Sequence, residues 1–306
     1  MPEVVEVCMT TLYLKHYLLN KKIIKINVLS GRYKKTPMKG FAELVKKLPL
    51  QINDINSKGK FIWLESHDNS NKEHIMLNTL GLEGSWSFVK SEHSHIEFEF
   101  ADISNDKKHL YFNDTRNFGT MEFTSDRNKL NEKLNELGED LLKTPFTETD
   151  FRTRLGNVIK KKHGGDIEIV KVLMDQKKKS GVGSGIGNYL SVESLYKAKI
   201  SPYTKAIDIY NNVNLCSKLS KSIKYIIKLS FMTAEVGYVG ELDKDMIEWI
   251  KSMRKSTYNI HPDINIKNNI FVFNVYRKKK DSLGNDVVGD KIINGRTTYW
   301  CPAVQK

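Results

Sequence analysis

The chain has 306 residues, 40% of them hydrophobic and 28% charged, with a formal net charge of +13 and a pI near 9.4. That length leaves room for two domains and a substantial core, and the balance is ordinary for a soluble globular protein. The positive surplus points to a polyanionic partner, nucleic acid before an anionic membrane. Three scattered cysteines, Cys8, Cys216 and Cys301, suggest no disulfide framework. No apolar run nears the ~20 residues of a membrane span, and the N-terminus lacks a secretory core, so a soluble intracellular protein of nucleus or cytoplasm is expected.

The chain opens as a helix. Pro2 suits the first helical position, and Glu3 and Glu6 put negative charge in the first turn, where the helix dipole favours it. Cys8, Met9, Leu12, Tyr13 and Tyr17 continue at helical spacing. A small second residue implies that Met1 is trimmed, leaving a secondary amine on Pro2. An α-amino group, with a reference pKa of about 7.7–8.0, is partly uncharged at neutral pH and able to form an iminium with a sugar or carbonyl carbon. On these residues alone, a plain helix start is the favoured explanation.

A β-rich region follows. Residues 22–29 alternate at Ile24, Ile26 and Val28; residues 61–64 form a short apolar run; residues 95–100 alternate at Ile96, Phe98 and Phe100. Residues 110–112 and 121–123 read as two more strands around a turn, and the whole as a sandwich of sheets. Residues 128–142 read as a charged helix with Leu130, Leu134, Leu137 and Leu141 on one face. From residue 149 to about 254 the pattern is helical. Residues 258–269 read as an Asn-rich loop, and residues 271–276 as a strand. Turn signals at Leu283-Gly284-Asn285-Asp286 and Asn294-Gly295 close the chain, the second a hairpin dipeptide.

The most unusual run is Gly181-Val182-Gly183-Ser184-Gly185-Ile186-Gly187-Asn188. It is not a dinucleotide fingerprint, because the glycines fall at alternate positions and residues 168–176 before it look helical. It also lacks the Gly-Lys-Ser/Thr ending of a Walker loop. It reads as a tight turn between helices, the second running from Asn188 to about Lys199. Its backbone N–H groups are expected to suit one phosphate, with Lys177, Lys178 and Lys179 beside it. A helical hairpin whose glycines permit close packing is the competing reading.

Six segments in order resemble the formamidopyrimidine-DNA glycosylase/endonuclease VIII family. They are Pro2-Glu3 through Glu6-Val7; Ser57-Lys58-Gly59-Lys60-Phe61; Leu80-Gly81-Leu82-Glu83-Gly84; Asp114-Thr115-Arg116-Asn117-Phe118-Gly119; Met174-Asp175-Gln176 through Gly187-Asn188 to Ser201-Pro202; and Gly295-Arg296-Thr297-Thr298-Tyr299-Trp300-Cys301-Pro302. The resemblance implies an α+β protein. A β-sandwich domain with an N-terminal helix (residues 1–127) is joined by a linker (128–148) to a mostly helical helix–two-turn–helix domain (149–256), with a zincless β-hairpin finger at 257–306.

It also implies roles. Pro2 attacks C1′ of a damaged nucleoside, and Glu3 moves protons. Glu6 helps to hold the lesion site. Lys60, Asn188 with Gly187, and Arg296 grip backbone phosphates, so that the two domains form a basic cleft around bent DNA. Leu82 is the wedge that parts a base step once the target is flipped, and Arg116 and Phe118 fill and stack in the opposite strand. Part of the lesion pocket is placed around residues 237–244. Asn117 and Thr79 depart from family residues. The finger has only Cys301 where four cysteines would hold zinc, so no structural metal and no cofactor is expected, and the finger is expected to rest on Tyr299 and Trp300. The expected activity is removal of oxidised bases followed by β,δ-elimination in base excision repair, on duplex or single-stranded damaged DNA, by a monomer with no membrane partner. The alternative is a DNA lesion- or structure-binding protein of the same fold that does not cut.

Overall fold

The computed structural model describes residues 2–234, 244–256, 260–293 and 295–306. The chain divides into two compact units. The first holds residues 1–2, 6–134 and 235–252; the second holds residues 3–5, 135–234 and 253–306.

Helix α1 (Val4–Leu18) is buried at every position from Val4 to Leu14. Its apolar residues encircle it, as they do in a helix that lies inside a protein rather than on its surface. The rest of the first unit is mostly β. In chain order it comprises β1 (Lys22–Val28), a short α2 (Phe41–Val45), β2 (Leu50–Lys58), β3 (Phe61–His67), β4 (Glu73–Thr79), β5 (Ser85–Ser87), β6 (Ser94–Ala101), β7 (His109–Asn113) and β8 (Thr120–Thr124). All pair antiparallel in the order β5-β7-β6-β1-β2-β3-β4-β8. Period-2 burial runs along β2, β3 and β6, as the alternating sequence requires.

The strand order folds over on itself into a sandwich-like sheet. β1 and β2 share only the pairs Lys22↔Gln51 and Ile23↔Leu50. Trp86 of β5, at one end of the order, donates its indole N–H to Asn78 Oδ1 of β4 at 3.1 Å, within a buried pair. The strands expected at 110–112 and 121–123 are present, but they do not pair with each other: β7 lies beside β5 and β6, and β8 beside β4. The chain between them is a loop shaped by the buried Asp114 carboxylate, which accepts the N–H groups of Gly119 (2.6 Å) and Arg116 (3.3 Å).

α3 (Arg127–Glu136) is shorter than the helix expected over 128–142. Beyond it, the Gly138 N–H bonds to the Gln176 carbonyl, and Asp140 Oδ1 accepts from the Leu142 and Lys143 N–H groups. The backbone is therefore satisfied by turns rather than by more helix. The second unit follows with α4 (Glu148–Ile159), α5 (Ile169–Met174), α6 (Asn188–Ala198), α7 (Ala206–Asn211) and α8 (Val213–Thr233). α4 starts in a capping box between Thr147 and Asp150. α9 (Lys244–Ser256) follows, and β9 (Val288–Ile293) and β10 (Arg296–Trp300) form a hairpin. Asn294, in its turn, lies outside the described residues, as do residues 237–243 of the expected lesion-pocket region.

Residues 271–276, read as a strand, are not one. Glu193, a fully buried carboxylate on α6, accepts the backbone N–H groups of Asn274, Val275 and Tyr276 at 2.9–3.0 Å. Those donors cannot also serve a sheet ladder.

His261 is buried in the second unit. Its Nε2 meets the Leu141 carbonyl at 2.9 Å, and its ring lies edge-on to Phe146. Burial, with Lys224 nearby, lowers its pKa to about 4. The unfolded chain thus holds a proton that the folded chain rejects between about pH 6.5 and pH 4. Stability is full above that window and falls as pH drops through it, by on the order of 3 kcal/mol. Urea unfolding across this range should show that His261→Gln loses stability less steeply on acidification than the unmodified protein; parallel slopes would remove His261 as the cause.

Candidate active site

In the first unit, Pro2 is half-buried, and Glu6 lies on α1 with 5% exposure. Lys60 is half-buried in the two-residue turn Gly59-Lys60, where β2 hands over to β3 through the pair Lys58↔Phe61. The hairpin register therefore fixes where the Lys60 side chain starts.

Two loops of this unit lie side by side. Leu82 is half-buried in the turn between β4 and β5, closed by Gly84 N–H to the Leu80 carbonyl at 2.8 Å. Gly81 in that turn has φ +64°, and a Cβ there would stand 2.5 Å from Gly119 N and 2.6 Å from Phe118 C. Only glycine permits this approach. It brings the Leu82 turn against the loop bearing Arg116 and Phe118. Phe118 is 53% exposed, an uncovered aromatic ring with the Arg116 guanidinium 5.4 Å from its centroid. Asn117 takes the left-handed conformation that asparagine tolerates (φ 55°) and accepts from the Arg32 N–H at 3.3 Å. The guanidinium of Arg32 also donates to the Gly119 carbonyl. The contribution of Arg32 does not follow from the local sequence pattern. Asp114, five residues before Gly119, is the one legible signal, since short acidic side chains commonly bind nearby backbone N–H groups.

In the second unit, the glycine run carries a different charge from the one expected. The buried Glu3 carboxylate accepts the N–H groups of Gly187 (2.5 Å), Tyr189 (2.8 Å) and Leu190 (3.2 Å). Gly187 is the residue that caps α6. These donors, read in sequence as suited to a phosphate, are committed to a residue of the chain itself. Gly185, at φ +113°, makes this possible, because a Cβ there would stand 2.4 Å from the Val4 Cβ. Val4 N–H also bonds to the Gly185 carbonyl at 3.0 Å. Gln176 shapes the same loop, accepting from Gly185 N–H (2.6 Å) and donating to the Ile186 carbonyl (2.8 Å). Its spacing to the glycine run gives no hint of this.

Asn188 is 7% exposed. Its Nδ2 donates to the Thr297 carbonyl at 2.9 Å, while its Oδ1 has no hydrogen-bond partner. This contact ties the start of α6 to β10, which begins at the half-buried Arg296, so Asn188 and the residue beside Arg296 meet.

The hairpin rests on an apolar cluster of Val192, Val275 and Cys301, with Tyr196, Tyr276, Val287, Tyr299 and Val304 against it. Trp300 lies outside this cluster, donating to Asp290 at 2.7 Å and packing edge-on to Tyr203. Asp281 gathers the preceding loop: its carboxylate accepts Leu283 and Asn285 N–H groups and the Tyr196 hydroxyl. Burial would raise its pKa, but these donors hold it at about 2. Burial raises the Cys301 thiol. Among the described residues, no three His, Cys, Asp or Glu side chains are grouped to hold a metal ion.

The formamidopyrimidine-DNA glycosylase N-terminal domain model matches residues 1–121 and the corresponding C-terminal domain model residues 262–306, together more than half of the chain. The chain is 28% identical over 310 residues to a formamidopyrimidine-DNA glycosylase of Wolbachia pipientis subsp. Culex pipiens, and 28% identical over 318 residues to one of Listeria monocytogenes serovar 1/2a, each covering 100% of both chains. Among solved structures it is similar to a MutM in complex with DNA containing carbocyclic 8-oxo-G (TM-score 0.72, 24% identity, 100% of both chains). It is likewise similar to a Lactococcus lactis FPG in complex with DNA containing FAPY-dG (TM-score 0.71, 22% identity, 99% of this chain and 100% of that one). No helix of the described residues is long and apolar enough to cross a membrane. The chain belongs to the formamidopyrimidine-DNA glycosylase family of base-excision-repair enzymes.

Proposed function

We propose that the chain is a bifunctional DNA glycosylase and abasic-site lyase, acting on damaged DNA through the secondary amine of Pro2 once Met1 is removed. Its substrates are oxidised pyrimidines, formamidopyrimidines and hydantoins. The observation that carries this reading is the anchoring of Glu3. A carboxylate adjoining the nucleophile in sequence is held by three N–H groups at the start of α6, so it cannot wander in solvent. Such a fixed proton carrier beside an amine is what iminium chemistry requires.

The Pro2 nitrogen bonds to C1′ as the bond from C1′ to the base breaks, and the departing base takes up a proton. Loss of the remaining N–H proton accompanies ring opening, in which Glu3 protonates the sugar oxygen. The resulting iminium acidifies the 2′ hydrogen. Its removal expels the 3′ phosphate, a second elimination expels the 5′ phosphate, and water then releases Pro2. Lys60, Asn188 and Arg296 hold backbone phosphates, and Lys60 offsets charge on the leaving oxygen. Leu82, Arg116 and Phe118 occupy the gap that base flipping leaves, which the exposure of Phe118 suits. The net charge of +13 supports the polyanionic partner.

Borohydride reduction of protein incubated with abasic-site duplex, its N-terminus checked by mass, should yield a covalent adduct. The adduct should vanish when Met1 is retained. Tight, salt-sensitive binding with no adduct would instead favour a DNA-binding protein of this fold that does not cut.

Glu3→Gln separates position from chemistry. Its amide presents N–H groups to backbone donors, so it should lower the unfolding free energy by about 1–3 kcal/mol in urea titrations, besides abolishing the adduct. An unaltered urea midpoint would mean that the contacts to α6 contribute nothing to stability.

A further inference from the structure

The edge strand β8 of the first unit is covered by residues 32–39. This segment touches the strand at two points. Met121 N–H donates to the Tyr33 hydroxyl at 2.7 Å, and Phe123 N–H donates to the Lys39 carbonyl at 2.9 Å. Between these points Thr36, Pro37 and the buried Met38 line a cavity of about 530 Å³. Its apolar lining includes Tyr33, Leu77 and the largely buried Phe61, and Arg32, Lys39 and Lys133 bring positive charge to it. The Tyr33 ring is held by its hydroxyl and covered by the Arg32 guanidinium, 4.7 Å from the ring centroid. One carboxylate, Glu122, lines the same space and makes no hydrogen bond or ion pair with the described residues.

The cavity adjoins every loop that the proposed function puts on DNA within this unit. Phe61 directly follows Lys60. Thr79, also in the lining, precedes Leu82 by one turn, and Thr120 follows the loop of Arg116 and Phe118. Arg32 is hydrogen-bonded to that last loop.

We infer that this cavity takes the base of an unpaired nucleotide in the bound DNA, with its phosphate on Arg32 and Lys39 and its amino-bearing edge on Glu122. The inference rests on the DNA-glycosylase reading above. Aromatic and apolar walls receive the flat face of any base, and cations receive the phosphate. The carboxylate discriminates. It accepts from the exocyclic amine of cytosine or adenine, whereas thymine turns carbonyl oxygens toward it. A paired base has its Watson–Crick edge occupied and does not enter.

The test compares labelled single strands of cytidine only and of thymidine only, titrated with the full chain at about 0.15 M salt, where non-specific phosphate binding is damped. The cytidine strand should bind about five- to tenfold more tightly, the range expected for one good base-edge contact. Glu122→Gln should bring the two strands within about twofold, since the amide also donates to thymine carbonyls. Leu77→Trp, which fills the cavity, should remove the preference too. Equal affinity for the two strands overturns the inference and leaves the cavity to another class of ligand, such as a peptide. A preference that persists in Glu122→Gln overturns it as well. Borohydride trapping on an abasic duplex needs no unpaired flank. Trapping without base preference sinks this site alone, and preference without trapping sinks the lyase reading alone.

Discussion

A buried carboxylate and the start of a helix each carry a cost that the other removes. Glu3 is only 1% exposed, so its charge needs donors; the first N–H groups of α6 have no partner inside the helix, so they need an acceptor. The hydrogen bonds from Gly187, Tyr189 and Leu190 answer both needs, with the helix dipole adding to the attraction. Hydrogen bonds to charged groups contribute on the order of 1.5–3 kcal/mol each, and a set sharing one carboxylate contributes less than its sum. The contact also fixes chain position. Residues 3–5 belong with the second unit, to which this contact ties them.

This explains the glycine run better than a phosphate does. Gly185 has to let Val4 within 2.4 Å of where a Cβ would lie, and it adopts φ +113° to do so. Sequence shows that the run is a tight turn between helices, and that much the structure contains. It does not show what charge the turn receives, because the acceptor lies more than 180 residues away in the chain. The same limit recurs at residues 271–276. Their apolar pattern resembles a strand, but strand formation depends on where N–H groups find acceptors, and here Glu193 supplies them. By contrast, β6 is readable because alternation is a local property and one face of it is buried, and β3 because its opening apolar run is local too. The expected pairing of β7 with β8 fails for the opposite reason: both strands are locally legible, but their partners are set by the whole sheet order.

Of the site residues, the sequence makes Glu3, Gly187, Leu82 and Phe118 visible by motif, and the structure gives the first pair a joint place and the second pair adjacent loops. Arg32 escapes the sequence reading, and Gln176, though part of a motif, hides its role, because the work of both is done through backbone groups. Arg32 binds the carbonyl of Gly119 and Gln176 the amide of Gly185, and any loop sequence offers the same backbone atoms. Such residues become recognisable only when the loop they serve is seen folded.

The finger shows how much of this architecture depends on carboxylates and carboxamides collecting backbone donors. Asp281 draws together the loop at 281–285, and Gln305 accepts the Cys301 N–H while donating to the Ile200 carbonyl, which clips the chain end to the segment after α6. Between these clips lies the packed cluster around Val192, Val275 and Cys301. Polar clips set register and the apolar cluster supplies cohesion, a division of labour that a metal otherwise performs with four ligands at one point. The consequence reaches α6. Because β10 is held from both sides, the Thr297 carbonyl stays opposite Asn188 Nδ2, leaving Asn188 Oδ1 buried without a donor. An unsatisfied buried acceptor costs free energy, so this contact stabilises the start of α6 less than a fully paired amide would.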